Sequence, residues 1–480
     1  MAVFPTYADY VDLNNDADFG DAGEDVSARV LVRNGVSIDR GRDQIQLLAP
    51  PAAGSSAFSL RNGSGDYDPG SNLKAGRRVR QTATFSAVTY NLFTGILETP
   101  RHRIQPPEPT VDVRALGTLS RLTRKTKLYT ALYQNILISD ALGYLFDAAE
   151  WPAADRVFDV AKTTLPWWWL DGEDAFSAAL TLLYTEGPGA VLYEDGLGRA
   201  VFKNRHARLE ESRSTTVQAT YGNAGDLAML IPPDYDLALE GVVNECVVTV
   251  KRRTAAALAA IWSVGETLTL GANEVRQLIA RASGGDPFTA AVAPVLTTDY
   301  TVPAGSVSSI TLDRTSGAQA TITITAGASG ATIAGLQMRA QLVPVTNTTL
   351  VANTTSMAAS IAEHGLRTFG LPVREEISLL DAQNFCNLAV AWYGEGRPTI
   401  RFSAPANVSS ADLISALSRE VSDRIRVRLS PIAVDKELYI EQVRHQVTNG
   451  IHVTTFGCEE ALEQVALWDS GLWDTALWGW

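Results

Sequence analysis

The sequence predicts a mainly β fold with an α+β insert, in which two related β-barrels share one chain and a β-sandwich is inserted into the second barrel. Three observations lead to this prediction. Short apolar stretches of period two recur along most of the 480 residues, and a strand-rich segment near the N-terminus is echoed near the C-terminus. Helical periodicity is confined to residues 128–184 and 380–392.

The echoed segment reads as an antiparallel meander. A strand at residues 57–60, glycine- and aspartate-rich turns, a basic strand Arg78–Arg80 and an aromatic strand around Phe93 follow one another. Phe93 follows Arg78 by 15 residues. Tyr439 follows Arg424, the first residue of a second basic strand Arg424–Arg426, by the same number. The strands that come next and match in apolar pattern and glycine are residues 111–117 and 451–457. Chance likeness between two meanders is one interpretation, and duplication is the one we favour.

Composition and charge limit the classes of partner. The formal net charge is −13, which argues against a protein that grips nucleic acid over its whole surface. The two basic runs, residues 74–80 and 121–127, are read as solvated strand edges. Three cysteines are too few for a disulfide framework and suit core positions in a chain made in a reducing cytoplasm. No apolar run reaches the eighteen or so residues of a membrane span.

The pattern along the chain predicts seven segments. The acidic first 25 residues are expected to be a solvated arm, although the alternation of Asp12, Asn14, Asp16 and Asp18 is similar to part of a calcium loop. The strand at residues 243–250 is expected to open the second barrel. The expected boundaries are an arm at 1–25, the first β-barrel at 26–127, the α+β insert at 128–215, a linker and the start of the second barrel at 216–262, the β-sandwich at 263–350, a helix and the rest of the second barrel at 351–462, and a tryptophan-rich tail at 463–480.

Two groups of tryptophans are candidate interaction sites. Trp167, Trp168 and Trp169 are consecutive in a strand pattern, so one face of the run is expected to be core and the other an aromatic surface or interface. A sugar-stacking platform is the alternative. The C-terminal residues repeat the pattern Leu-Trp-Asp, and the expected partner-docking residues are Trp468, Trp473, Trp478 and Trp480. A tail folded back on its own domain would account for them equally.

Motifs of catalysis are missing from the sequence. It has no G-x-S-x-G elbow, H-E-x-x-H motif, P-loop or Rossmann glycine fingerprint. His445 and His452 are expected to share a strand face, but with Cys458 they fit no usual zinc spacing. Asp174 near Asp171 and Glu173 is explained better by helix capping than by acid–base chemistry. We therefore predict no enzymatic activity, no metal site and no cofactor.

The succession of several stretches resembles minor tail proteins, the tail-tip or baseplate hubs, of long-tailed non-contractile bacteriophages. The stretches that carry this resemblance are Gly41-Arg42, residues 57–62, 65–69 and 92–95, Leu336–Ala340, Ser360–Arg367 and the Trp-Asp tail. The resemblance implies two related barrels, an α+β insert and three copies in a ring. It implies a place at the tail tip of the virion, after synthesis in the cytoplasm of the host bacterium.

The function that the resemblance implies is structural. Two barrels per chain in a homotrimer would match the sixfold tail tube to a threefold tip around the DNA channel. The implied partners are the distal tail protein, the tail tube and the tape-measure protein, with further tip or receptor-binding proteins at the tryptophan repeat and DNA only in passage. The alternatives are a distal-tail ring protein and a tail-tip protein that binds carbohydrate of the host cell envelope.

Overall fold

The chain has more strand (46%) than helix (19%), which confirms the mainly β prediction. The computed structural model describes residues 3–42, 50–104, 108–222, 225–282, 284–354, 356–373, 375–461, 465–466 and 477–478. In these ranges, no helix has the length and apolarity needed to cross a membrane. The largest sheet in these ranges has twelve strands, which come from the N-terminal and the C-terminal parts of the chain.

The first part of this sheet, which we call repeat 1, is a set of antiparallel strands in the order β1-β4-β5-β6-β3-β2. Phe58, Leu60, Val79 and Phe93 fill its core. The strands are β1 (Thr6–Val11), β2 (Val36–Gly41), β3 (Ser55–Arg61), β4 (Arg78–Phe85), β5 (Val88–Arg103) and β6 (Thr110–Gly117).

The prediction of a solvated N-terminal arm is wrong for residues 6–11, because they form β1 and pair with β4. Val11 is fully buried, and the buried Asp9 accepts a hydrogen bond of 2.7 Å from Gln81. The acidic composition of this segment hid the strand, since a buried carboxylate with a dedicated donor looks like a solvated one in sequence.

The α+β insert packs its helices on short strands around a separate core. Asp174 caps the second helix by accepting from the amide of Ser177, as the sequence predicts. Its elements are β7 (Leu128–Tyr129), β8 (Tyr133–Leu137), α1 (Ile138–Ala148), β9 (Arg156–Phe158), β10 (Thr164–Trp168), β11 (Asp171–Glu173), α2 (Ala175–Glu186), β12 (Val191–Glu194), β13 (Ala200–Lys203), α3 (Ala207–Glu210) and α4 (Ser212–Thr215).

Two strands then return to the large sheet, and a third leaves it. β14 (Thr220–Tyr221) and β15 (Leu230–Asp236) belong to the twelve-stranded sheet, whereas β16 (Glu245–Arg253) does not. The expectation that residues 243–250 open the second barrel is therefore wrong. Alternating apolar residues specify a strand with one buried face, but they do not specify which sheet buries it.

The β-sandwich lies between β16 and its antiparallel partner β24. Two sheets, β17-β23-β20 and β18-β22-β19 with β21, share one hydrophobic core. The strands of the sandwich are β17 (Ala259–Ser263), β18 (Leu268–Leu270), β19 (Val275–Arg281), β20 (Phe288–Val292), β21 (Thr301–Arg314), β22 (Gln319–Ala334) and β23 (Gln337–Leu342). The strands β24 (Val345–Ala352) and β25 (Thr368–Gly370) form a separate sheet with β16. The β-sandwich thus extends over residues 259–342, whereas the sequence predicts 263–350.

The remaining elements complete the large sheet. The helix expected at 380–392 extends over Leu379–Tyr393 with Ser378 as its N-cap. The elements are α5 (Ala358–His364), α6 (Leu379–Tyr393), β26 (Thr399–Pro405), α7 (Ser410–Ser418), β27 (Arg424–Leu429), β28 (Val434–Thr448), β29 (Ile451–Glu460), β30 (Val465–Ala466) and β31 (Leu477–Trp478). We call β14, β15 and β26–β29 repeat 2.

Repeat 2 reproduces the strand order of repeat 1. The order β27-β28-β29-β26-β15 matches β4-β5-β6-β3-β2, and all these pairs are antiparallel. The ladders of β5 with β6 and of β28 with β29 each shift register at one glutamate, Glu98 and Glu441. The residue two places after each bulge lies opposite Val113 in repeat 1 and Phe456 in repeat 2. These two residues lie in turn opposite Phe58 and Phe402, which are therefore equivalent.

A side-chain bond is conserved between the repeats as well. Ser59 donates to Asp112 at 2.8 Å, and the hydroxyls of Ser403 and Thr455 are 2.8 Å apart at the equivalent position. The first strands differ, since β1 is antiparallel to β4 and β14 is parallel to β27. Two related units in one chain are therefore a property of the fold and not only of the sequence.

The register expected from sequence is partly wrong. Arg78 and Arg424 are equivalent as predicted, but they lie opposite Ile96 and Tyr439, so Ile96 and not Phe93 corresponds to Tyr439. The paired part of the hairpin is longer in repeat 1, where it extends from Arg78 to Phe85 and not over the six residues Arg424–Leu429, and its ladder contains an additional bulge after Gln81. A matching apolar pattern does not reveal such a bulge, because the alternation continues on either side of it.

Candidate functional site: the junction between the repeats

The two repeats are joined edge to edge by β2 and β28. Six residues of each strand pair antiparallel, from Val36 opposite Val447 to Gly41 opposite Gln442. Gly41 has φ 110, and a Cβ there would lie 2.2 Å from the carbonyl oxygen of Glu441. Only glycine allows the backbones to approach so closely in this conformation. Gly41 therefore fixes where repeat 1 meets repeat 2.

Buried charges surround this contact. The fully buried carboxylate of Glu441 lies 3.1 Å from Arg42 and 2.6 Å from Arg208, two guanidinium groups that are also buried. Arg42 belongs to repeat 1 and Arg208 to the α+β insert, so one carboxylate joins three parts of the chain. Removing it would leave two cations without compensation in a dry environment, a strongly unfavourable state.

Another buried carboxylate and a third ion pair reinforce the junction. Glu194 of β12 accepts hydrogen bonds from the amides of Gly54 and Leu119 and from the hydroxyl of Thr118. Arg40 of β2 makes a two-pronged pair with Glu420 at 2.7 and 3.0 Å. Such fork geometry is specific in direction as well as in charge. These bonds hold the insert and both repeats in one arrangement.

Two histidines meet at the same junction, as their hairpin positions predict. Nδ1 of His445 lies 3.1 Å from Nε2 of His452, and Nδ1 of His452 lies 2.9 Å from the hydroxyl of Tyr7 in β1. Burial lowers the pKa of His452 to about 4 and the pKa of His445 well below its ordinary value. Both imidazoles are therefore neutral near pH 7 and act as hydrogen-bonding groups inside the junction.

The expected aromatic run divides between core and domain contact. Trp168 is buried beside Tyr133, with ring centroids 6.0 Å apart. Trp169 lies against the backbone of Gly317 in the β-sandwich, and the guanidinium of Arg253 lies 4.9 Å from its ring. Trp167 is half-buried and lines a cleft of about 220 Å³ together with both neighbours. The run thus connects the α+β insert with the sandwich inside this chain.

The tail is the second group of expected sites. Trp468, Trp473 and Trp480 lie outside the described residues. Trp478 lies in β31, which pairs in parallel with β30. Docking by these four tryptophans therefore stays a prediction.

Acidic residues near the N-terminus come together and accept hydrogen bonds from the backbone of their own loop. Asp12 accepts from the amides of Asn15 and Ala17, and Glu24 accepts from those of Leu13 and Asp21. Both carboxylates are buried and shape the turn between β1 and the following segment. This arrangement accounts for the alternating acidic residues as a structured loop.

The sequence carried an incomplete signal for the junction. Gly41-Arg42 is one of the stretches that carry the resemblance, and a glycine in a strand pattern often marks a close approach of another backbone. Nothing local marks Glu441 or Arg208, because each is one charged residue in an ordinary pattern. Their importance comes from pairings between residues far apart in the chain.

Known proteins similar to this chain are found among solved structures. No protein-family model and no curated protein matches the chain. Over almost its whole length it is similar to solved structures of tail proteins: one from Neisseria meningitidis MC58 (12% identity, 95% of this chain and 96% of that chain, TM-score 0.49), the 43 kDa tail protein of prophage MuSo2 from Shewanella oneidensis (9%, 95% and 98%, 0.49) and prophage tail protein gp18 from Listeria monocytogenes EGD-e (10%, 94% and 94%, 0.44). With TM-scores below 0.5, these likenesses establish neither an assembly nor a partner for this chain.

Proposed function

We propose that this chain is a structural tail-tip hub of a bacteriophage, and that three copies form a ring with six similar positions. The duplicated strand set carries the proposal. Each chain supplies two units with the same order, the same bulge and the same serine bond between β3 and β6 or β26 and β29. Three such chains present six near-equivalent units, which is what a threefold tip beneath a sixfold tube requires.

The buried junction supports a static role. Glu441, Arg42 and Arg208 fix one relative placement of the two units, and a ring of defined diameter needs such a fixed angle. Packing adds to this, because Leu413 and Leu417 of α7 in the C-terminal part of the chain belong to the core of repeat 1. A catalytic site uses its buried charges on a substrate, whereas these charges neutralise one another.

The charge distribution suits a channel that DNA crosses without being held. The chain has a net charge of −13, and a passage that binds phosphates tightly would retain DNA. The arginines of the two basic strands are engaged within the chain. Arg80 lies 4.4 Å from the ring of Phe19, Arg424 pairs with Glu437, and Arg426 pairs with Asp435. We infer a bore that is neutral or acidic.

The test is the symmetry of the particle that the purified chain builds. We expect a species of about three times 51.6 kDa in mass photometry, and threefold symmetry with six similar lobes in projection images. A hexamer would contradict the hub and favour the distal-tail ring. A trimer whose two repeats lie at unrelated distances from the axis would contradict the adaptor role even if the mass is right.

A further inference from the structure

β5 has an edge without a strand partner over its C-terminal half. One edge of β5 pairs with β6 as far as Arg103, whereas the other pairs with β4 only as far as Ile96. In repeat 2 the corresponding half of β28 is covered, because β2 pairs with it from Gln442 to Val447. Within the described ranges, no strand takes that place on β5.

β15 is the second unpartnered edge, and it corresponds to β2. Asp39 of β2 lies opposite Ser55, and Asp236 of β15 lies opposite Thr399 at the equivalent position of β26. β2 continues the sheet by pairing with β28 on its other side, whereas β15 ends the sheet in the described part of the chain. Each repeat thus has the same pair of edges, and only one of the two possible contacts is made within the chain.

We propose that β15 of one copy adds antiparallel to residues 99–104 of β5 in the next copy, with Asp236 opposite Arg101. This inference rests on the proposed ring and states how it closes. Repeating the contact of β2 with β28 at the second pair of edges is a head-to-tail arrangement, which generates a closed ring if the rotation divides the circle. The register follows from the equivalence of Asp236 with Asp39 and of Arg101 with Arg444.

The charges at the two edges are complementary. Within the chain, Asp39 accepts from Arg444 at 2.8 Å across the junction of β2 with β28. Both residues of the proposed counterpart, Asp236 and Arg101, are exposed. The same register places Asp234 opposite Arg103, a second pair of opposite sign. Charged edges discourage pairing with arbitrary strands and allow it with the one that matches.

Burial differs between the junction that is made and the one that is open. Val447 is 5% exposed and Arg40 is 2% exposed in the contact of β2 with β28. Their counterparts on the open edges are Ile104 and Leu237, which are 94% and 62% exposed. Apolar side chains so exposed at two matching edges are explained if a second copy covers them.

A proline limits the hydrogen bonds of the new contact. Pro100 has no amide donor, whereas its counterpart Val443 in β28 has one, so the open ladder has fewer bonds than the closed one. The contact therefore relies more on the exposed Asp–Arg pairs. Assembly should weaken when salt rises from about 0.05 M to about 0.5 M, because exposed pairs are screened.

Cysteine pairing tests the register directly. The amide of Arg42 donates to the carbonyl of Glu441, which places Asp39 and Arg444 at a position without mutual backbone bonds, where side chains are closest. A variant with Arg101→Cys and Asp236→Cys should give disulfide-linked rings of three chains on a non-reducing gel. The matched control combines Arg101→Cys with Leu237→Cys, whose side chain leaves the opposite face, and should give no linked species. The three native cysteines are buried.

The outcomes separate this inference from the proposed function. Trimers that form but do not cross-link at Arg101 and Asp236 would overturn the strand pairing and leave the hub standing. A chain that stays monomeric or forms hexamers would overturn both. Linked species that extend beyond three chains would show an open filament and overturn the closure.

Charge exchange provides a second test in the same assembly. Either Arg101→Asp or Asp236→Arg alone should raise the concentration of half-assembly about tenfold, since the pair recurs three times around the ring. Combining both changes should restore most of the loss. Equal effects of the single and combined variants would contradict a direct contact.

Discussion

Glu98 and Glu441 occupy the same bulge of the two repeats, yet Glu98 is 39% exposed and Glu441 is completely buried. Glu98 pairs loosely with Arg114 at 3.5 Å, whereas Glu441 neutralises Arg42 and Arg208. One position has thus become a surface residue in repeat 1 and the centre of the junction in repeat 2. The difference follows from what lies beside the bulge, namely open solvent or β2.

The two glutamates give a matched pair of variants. We expect Glu441→Gln to lower the free energy of unfolding by about 3–5 kcal/mol, because two buried cations lose their counter-charge. Glu98→Gln should change it by less than about 0.5 kcal/mol, as is usual at the surface. Chemical denaturation followed by intrinsic tryptophan fluorescence measures both. Similar losses in the two variants would contradict the role of Glu441.

Gly41 is expected to tolerate no side chain. Gly41→Ala should separate β2 from β28, because the added Cβ would meet the carbonyl of Glu441. Gly76 has a comparable φ of 91 with nothing within 4 Å, so Gly76→Ala should show only the backbone cost of about 1–2 kcal/mol. Melting temperatures of the two variants decide this. A Gly41→Ala protein as stable as the Gly76→Ala control would rule out a fixed junction.

The histidine pair predicts sensitivity to acid. Because the pKa of His452 in the folded chain is about 4 and that of an unfolded histidine is about 6.5, the unfolded state binds the proton first as pH falls. Stability present above pH 6.5 is therefore lost between about 6.5 and about 4, by about 3 kcal/mol for His452 alone. Burial also lowers the pKa of His445, so this residue adds to the loss of stability in acid.

Substitution identifies the group responsible for that loss. His452→Gln should flatten the fall of unfolding free energy between pH 6.5 and 4, even if it lowers the stability at pH 7. The unsubstituted chain provides the reference slope. The comparison requires denaturation curves at several pH values. An unchanged slope in His452→Gln would mean that the acid sensitivity has another origin.

The C-terminal tryptophans are expected to bind a further tip protein. Deleting residues 467–480 should leave the melting temperature of the chain unchanged and abolish attachment of that protein. Replacing Trp468, Trp473 and Trp478 by alanine should have the same effect without shortening the chain. Reconstitution of tail tips with and without these changes measures attachment. Early melting or aggregation of the truncated chain would show that the tail is part of its core.

Local structure was predictable from sequence where one residue type determines the geometry. Asn449-Gly450 ends the hairpin of β28 and β29 with φ of 51 and 80, as such a pair is expected to do. The N-caps Asp174 and Ser378 begin their helices. The duplication itself was also visible, because it repeats a pattern of apolar residues and turns.

What sequence reasoning missed depends on pairings between distant parts of the chain. The strand of β1 was hidden by its acidic neighbours, and β16 was assigned to the wrong sheet. The junction required Glu441, Arg42 and Arg208 to be brought together across three segments, and no local pattern specifies that. Bulges shift the register without changing the alternation, so the equivalence of Glu98 and Glu441 is evident only from the three-dimensional fold.

The chain connects to the β-sandwich at two neighbouring residues, Arg253 and Val345, which lie opposite each other at the ends of β16 and β24. A domain inserted between two adjacent residues of paired strands leaves the path of the remaining polypeptide unaltered. Exchange of this module for another would therefore leave the strand order of both repeats unchanged. In the proposed ring, chains that differ in this module would share one framework of strands.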